Sequence, residues 1–241
     1  MNSNSPYVFV PGSFHGAWCF YKVLPLMHAM GMRATAVELP AHGRDNTPIT
    51  AVTLDSYVDA VCNELNKYDA PAILVGHSRA GIVISQVAER MPEKIKQLVY
   101  LTAYLIPNGE PMVATAMSDT ESVLATNLIF NEAEGWHVPK PEKLREAFYH
   151  DCTDEDVALA ESLISHEPNL PVVTPLQLSS ERYGRVNKVY IEALQDKAIT
   201  NQLQKRMLER TPVNKTFTME TSHSPFLSKP KELVDILLTL Q

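Results

Sequence analysis

The 241-residue chain has little of what marks secreted, membrane or nucleic-acid-binding proteins. Its three cysteines, Cys19, Cys62 and Cys152, are dispersed and without a C-x-x-C spacing, so the sequence offers neither a disulfide framework nor a zinc-ligand pattern. No apolar run approaches the ~20 residues of a membrane helix. Met1–Pro6 has neither the basic start nor the apolar stretch of a secretory leader. Basic charge is scarce: 21 Lys and Arg stand against 28 Asp and Glu, and a net charge of −7 repels phosphate backbones and anionic lipid. The expectation is a soluble, cytoplasmic protein that binds neither nucleic acid nor membrane. Missing too are H-E-x-x-H, G-x-x-x-x-G-K-[ST] and G-x-G-x-x-G, so no metal, nucleotide or dinucleotide cofactor is expected. What is there, 45% hydrophobic and 20% charged residues, suffices for a sizeable core.

Short β-rich runs alternate with helical patterns. Tyr7–Val10, Ala34–Val37, Ala72–Val75, Leu98–Leu101, Lys188–Ile191 and Lys215–Met219 read as strands buried on both faces. Leu54, Tyr57, Val58, Val61, Cys62 and Leu65 recur at helical spacing behind Thr53 as N-cap, Gly81–Arg90 is helical up to Pro92, and a last helix is entered through Pro230. This order predicts an α/β fold: a mostly parallel sheet of about six strands flanked by helices.

From Tyr104 to Tyr183 the rhythm fails. The segment holds 14 of the 28 acidic but only 4 of the 21 basic residues, and 7 of the 17 prolines. It reads as an inserted cap (104–183), with 1–103 and 184–241 forming the core. Its apolar residues Met112, Val113, Met117, Leu124, Leu128, Phe130, Trp136, Phe148 and Leu163 either line a pocket or pack the cap on the core.

The run Ala72–Gly81 carries the chemistry: a buried strand, a small-residue turn around Ser78, then a helix. That is the setting of a nucleophile elbow, whose sharp turn needs small neighbours, here Gly76 and Ala80 followed by Gly81. A serine hydroxyl needs a general base, and the base needs a group that fixes its tautomer. In this arrangement the acid and then the histidine follow the serine along the chain. His223, on the loop after Lys215–Met219, fits the base; Asp196, on the loop after Lys188–Ile191, fits the acid, with Glu192 and Glu220 as competitors. An acyl intermediate also needs oxyanion donors. The N–H of Arg79 supplies one, and the loop Pro11–Gly16 the other, with Ser13 as the expected donor and Gly12, Phe14 and His15 facing substrate. His42 is expected to be structural, His77 to pack beneath the turn, and His28, His137, His150 and His166 to lie at the surface.

Together the blocks Phe9–Leu26, Ala36–Asp45, the elbow and the Asp196 and His223 loops resemble the α/β-hydrolase superfamily, and within it the group of plant hydroxynitrile lyases, methylesterases and bacterial esterases. The resemblance spans nearly the whole chain and departs at Ala80 and at the bulky Arg79. It implies a triad of Ser78, Asp196 and His223, an oxyanion hole at Ser13 and Arg79, no cofactor, and a homodimer. The expected function is a serine carboxylesterase for small or aryl esters. A lyase splitting cyanohydrins with the same triad and a small-ligand receptor are the alternatives. In the lyases of this group a Thr in the oxyanion loop and a Lys directly after the catalytic His serve the substrate hydroxyl and departing cyanide. Gly12 and Ser224 stand at those positions here.

Overall fold

In the computed structural model the described residues are 4–241, so the first part of the stretch Met1–Pro6 lies outside them. The strands in chain order are β1 (Tyr7–Val10), β2 (Ala34–Ala36), β3 (Ala72–His77), β4 (Ile95–Leu101), β5 (Leu128–Asn131), β6 (Trp136–Pro139), β7 (Glu167–Pro168), β8 (Lys188–Ala193) and β9 (Lys215–Met219). Six of them form a parallel sheet of order β2-β1-β3-β4-β8-β9, while β5, β6 and β7 form a separate antiparallel sheet. The helices are α1 (Val23–Ala29), α2 (Leu54–Leu65), α3 (Ala80–Arg90), α4 (Met112–Met117), α5 (Pro141–Phe148), α6 (Asp154–Leu163), α7 (Asn169–Val173), α8 (Asn201–Arg210), α9 (Pro225–Ser228) and α10 (Pro230–Leu238). The expected α/β architecture is therefore the observed one.

Alternation along each strand sends neighbours to opposite faces. Tyr7, Phe9, Ile73 and Val75 pack with α1 and α10 through Val23, Met27, Leu233 and Leu237. Val8, Val10 and Leu74 pack with α2 and α3 through Val58, Val61, Ile84 and Val87. Helix α2 starts where expected: Thr53 accepts from the Ser56 N–H and Ser56 returns the bond, a capping box worth about 1 kcal/mol.

Four strand boundaries differ from expectation: β3 runs on to His77 rather than Val75, β8 runs on to Ala193 rather than Ile191, and one boundary each of β4 and β2 shifts. Strand β4 begins at Ile95 rather than Leu98, because Lys96 is exposed and Gln97 half-buried at its start and so hide the apolar pattern. Strand β2 stops at Ala36 although the Val37 N–H still donates to Phe9 O. The stretch 104–183, expected to be an inserted cap, is not separately cored. Tyr104, Leu105, Ile106, Val172 and Leu176 belong to one core cluster, and Phe148 and Tyr149 to the other. Among the described residues no helix is long and apolar enough to cross a membrane.

Strand β1 lies between β2 and β3, so the chain leaves β1 towards one side of the sheet and returns on the other. At such a switch point the loops beyond the carboxyl ends part and leave a crevice. Pro11–Gly16 and the turn at Ser78 are the two loops that border it here.

Candidate active site

Ser78 has φ of 55°, in the left-handed region that a non-glycine residue avoids unless its surroundings enforce it. The enforcement is local. The Ser78 N–H donates to Leu101 O, and Ser78 O accepts from the N–H groups of Gly81 and Tyr104. A methyl on Gly81 would come 2.0 Å from Tyr104 O, so the close approach of α3 to the end of β4 requires glycine there. Ala80, by contrast, is fully buried without displacing the turn, which is why its extra methyl is tolerated.

Asp196 and His223 meet beside this turn. His223 Nδ1–H donates to Asp196 Oδ2 at 2.6 Å, and both side chains are shielded from solvent. Three further donors hold the carboxylate: Thr102 Oγ1 at 2.5 Å on Oδ2, and the N–H groups of Ala198 and Ile199 at 2.7 and 2.9 Å on Oδ1. His223 Nε2 has no partner among the described residues, while the Ser78 side chain borders the adjoining cavity. The competing acids go elsewhere: Glu192 accepts from Asn201 and Glu220 from Gln195. His77 packs where expected, donating from Nε2 to His223 O with its ring centroid 4.5 Å from that of His223.

The N–H groups of Ser13, on the facing loop, and of Arg79, directly after Ser78, have no acceptor among the described residues. Of the three residues expected to face substrate, Phe14 lines the cavity. Gly12 lies behind it, so close that a methyl there would sit 2.7 Å from Ser78 Cβ. His15 is walled off, a correction to its expected role. Its Nδ1–H donates to Ser13 O at 2.7 Å, and Nε2 accepts from the Tyr149 hydroxyl at 2.5 Å. Burial lowers its pKa to about 4, the hydrogen bond to Ser13 O opposing this only in part, so the ring stays neutral.

The cavity measures ≈ 80 Å³ and is walled by Ser13, Phe14 and Ser78 on the sheet side. From the inserted stretch come Met112, Val113, Met117, Leu124, Leu128 and Phe130, whereas Trp136, Phe148 and Leu163 lie outside its lining. No Asp, Glu, Lys or Arg lines it. An outer groove of ≈ 620 Å³ shares Val113, Phe130, His137 and Val172 with it. His137 is thus not the surface residue expected from sequence: only 6% exposed, it donates through Nδ1 to Asn169 Oδ1 and packs edge-on against Phe14.

Two residues escaped the sequence reading. Thr102, with φ of 38°, lies at the end of β4 where no motif marks it. Glu167 on β7 is fully buried, 3.0 Å from both Arg79 Nε and His42 Nε2. The one available signal was Arg79 itself, since a cation in a buried turn demands a counter-charge.

Known proteins resemble the chain in sequence and in fold. Methylesterase 1 of Arabidopsis thaliana is 34% identical over 97% of this chain and 95% of its own length. An alpha-hydroxynitrile lyase of the same plant is 32% identical, covering 98% of this chain and 97% of its own length. The chain spans only 63% of the length of another relative, a putative chloroplastic methylesterase 11. Among solved structures, a pyrethroid hydrolase from Sphingobium faniae superposes with a TM-score of 0.88 at 26% identity, over 98% of this chain and 96% of that one. The profile of the alpha/beta hydrolase family matches residues 7–236, and the chain belongs to that family.

Proposed function

We propose that the protein is a serine carboxylic ester hydrolase acting on small, uncharged, apolar esters. The observation that carries this is the Asp196–His223 hydrogen bond of 2.6 Å beside an elbow serine that borders an apolar cavity. With Nδ1–H given to Asp196, the neutral ring offers its Nε2 lone pair as a base. Ser78 Oγ attacks the ester carbonyl carbon, its proton passing to Nε2, and the carbonyl π electrons move onto oxygen facing the N–H groups of Ser13 and Arg79. Collapse breaks the bond to the alcohol, which leaves with the proton from Nε2. Water repeats the sequence on the acyl-serine and frees the acid. The chamber suits a compact acyl group, and the outer groove suits an apolar alcohol portion. The absence of Lys and Arg from the chamber lining disfavours anionic substrates. The triad needs no metal or organic cofactor for this chemistry.

A lyase reading deserves weight because one relative is a hydroxynitrile lyase, but this site lacks the Thr and Lys that the resemblance to such lyases implies. Gly12 has no side chain, Ser224 has no charge, and the Arg79 guanidinium pairs with Glu167 away from the chamber. Developing cyanide would face a neutral wall. One preparation assayed with p-nitrophenyl acetate and with mandelonitrile at pH 5 to 7, with Ser78→Ala as blank, separates the readings. Ester turnover without cyanide release above the blank is expected; the reverse pattern would establish the lyase.

A further inference from the structure

The Arg79 side chain is fully buried one residue past Ser78, yet it does not border the chamber. Burying a cation is costly unless partners are arranged for it, so its partners indicate its purpose. Nη2–H donates to Gly12 O at 3.1 Å, and the guanidinium carbon lies 4.4 Å from the centroid of the Tyr57 ring. Nε sits 3.0 Å from Glu167 Oε1, off the line of an aligned hydrogen bond, so that contact is a Coulombic ion pair. The other oxygen, Oε2, accepts from the Phe14 N–H and from His42 Nε2, each at 3.0 Å. Burial alone would raise the carboxyl pKa of Glu167, but Arg79 and His42 hold it well below the usual range.

These contacts fall on two successive peptide units. The unit joining Ser13 and Phe14 is held at both ends: its C=O accepts from His15 Nδ1–H and its N–H donates to Glu167. Phe14 itself has φ of 67°, and its C=O accepts from the Ser165 N–H of the inserted stretch. The unit joining Gly12 and Ser13 is held by its carbonyl, which accepts from Arg79 Nη2–H at 3.1 Å and from the His15 N–H at a longer 3.4 Å. In a planar trans peptide the C=O and N–H point in opposite directions, so fixing one aims the other. A cation on the carbonyl also draws electron density along the amide and strengthens the N–H as a donor.

We propose that Arg79, locked in place by Glu167 of the inserted stretch, is a positioning residue that aims and polarises the Ser13 N–H towards the oxyanion, so that the oxyanion hole is complete only when that stretch is seated. This rests on the serine hydrolase reading, which p-nitrophenyl acetate turnover and fluorophosphonate labelling of wild-type Ser78 test first; failure there overturns that reading, not this one alone. Given an active wild type, Arg79→Met/Glu167→Gln removes both charges while leaving an acceptor for the Phe14 N–H. Losing an oxyanion donor costs ~10²–10³ in rate, and mis-aiming one costs less. A fall in kcat of about 10- to 100-fold is expected, with KM nearly unchanged. Affinity for a trifluoromethyl ketone, whose adduct with Ser78 places an oxyanion in the hole, should fall by the same factor as kcat/KM. The methyl ketone of the same skeleton should bind as before. Arg79→Lys keeps the charge, reaches fewer partners, and should lose less. A folded double variant with wild-type kcat, or equal weakening of both ketones, would overturn the proposal. If the double variant does not fold, Arg79→Lys decides: a selective loss of trifluoromethyl ketone affinity supports the proposal, and none overturns it.

Discussion

The parallel sheet and the inserted stretch reach the cavity by different means. The sheet delivers backbone: β1, β3 and β4 each run into a residue of positive φ, Phe14, Ser78 and Thr102, and these lie on or beside the reacting groups. The insertion delivers side chains, several half in solvent, with Met117 64% and Phe130 56% exposed. Strained backbone persists only where packing over-determines it, and the doubly covered sheet provides that packing. Loosely held apolar walls can change without disturbing it. Chemistry and shape are thus carried by regions of different rigidity. Glu167 crosses the division: an acidic residue of the insertion, it is as deeply buried as any residue of the sheet.

The largest expected effect tests whether chemistry belongs to the sheet loops. Asp196→Asn should lower kcat by ~10²–10⁴, because an amide supports the wrong imidazole tautomer. Glu192→Gln and Glu220→Gln should be nearly silent. A crippled Glu192 or Glu220 variant beside a normal Asp196 variant would reassign the acid. Next comes the exception. Glu167→Ala leaves Arg79 buried and unpaired, and a urea titration should show a loss of about 3–5 kcal/mol. Glu134→Ala, at an exposed residue of the same stretch that accepts from Trp136, should shift stability by no more than about 0.5 kcal/mol. Equal small losses would place Glu167 with the tolerant walls.

What could be read from the sequence follows the same division. Tyr7–Val10 and Ala72–His77 are apolar on both faces, which only a doubly covered sheet explains, so the core and the elbow were legible. The hairpin of β5 and β6 was not. Its strands are four residues each, and its turn is closed by the Gly135 N–H donating to Asn131 O. That turn signal lies among acids and prolines that read as irregular chain. Glu167 was beyond reach for another reason: the 28 acids of the chain give no local sign of which one meets Arg79 across the fold.

A third effect, smaller again, belongs to the sheet side. His15 is neutral in the folded protein down to about pH 4 because burial disfavours its cation, and burial pushes His77 down as well. The unfolded chain takes up these protons near pH 6.5. Between those limits the unfolded state binds more protons, so stability falls as pH falls, by up to about 3 kcal/mol for His15. Urea titrations from pH 7 to pH 4 should show that slope, and His15→Asn should make it shallower. A flat profile in the wild type would mean that His15 protonates in place, and its bond to Ser13 O would then carry less of the loop's rigidity than the geometry implies.

The smallest effect tests whether shape belongs to the insertion. Val113 is half-buried and stands in the wall shared by chamber and groove, so Val113→Ala should join the two more widely. Burying one more methylene of an acyl chain contributes ~0.8 kcal/mol. The ratio of kcat/KM for p-nitrophenyl hexanoate over p-nitrophenyl acetate should therefore rise roughly fivefold, about 1 kcal/mol. Turnover of the acetate, whose acyl group does not reach Val113 in this reading, should stay within about twofold, consistent with a surface-side truncation that leaves the triad alone. The matching change on the sheet side is Phe14→Leu. It alters a residue whose backbone is held by Glu167 and Ser165, and it should lower kcat for both esters without changing their ratio. If Val113→Ala instead slows both esters equally while Phe14→Leu shifts chain-length preference, selectivity is set by the oxyanion loop, and the division of labour between sheet and insertion runs the other way.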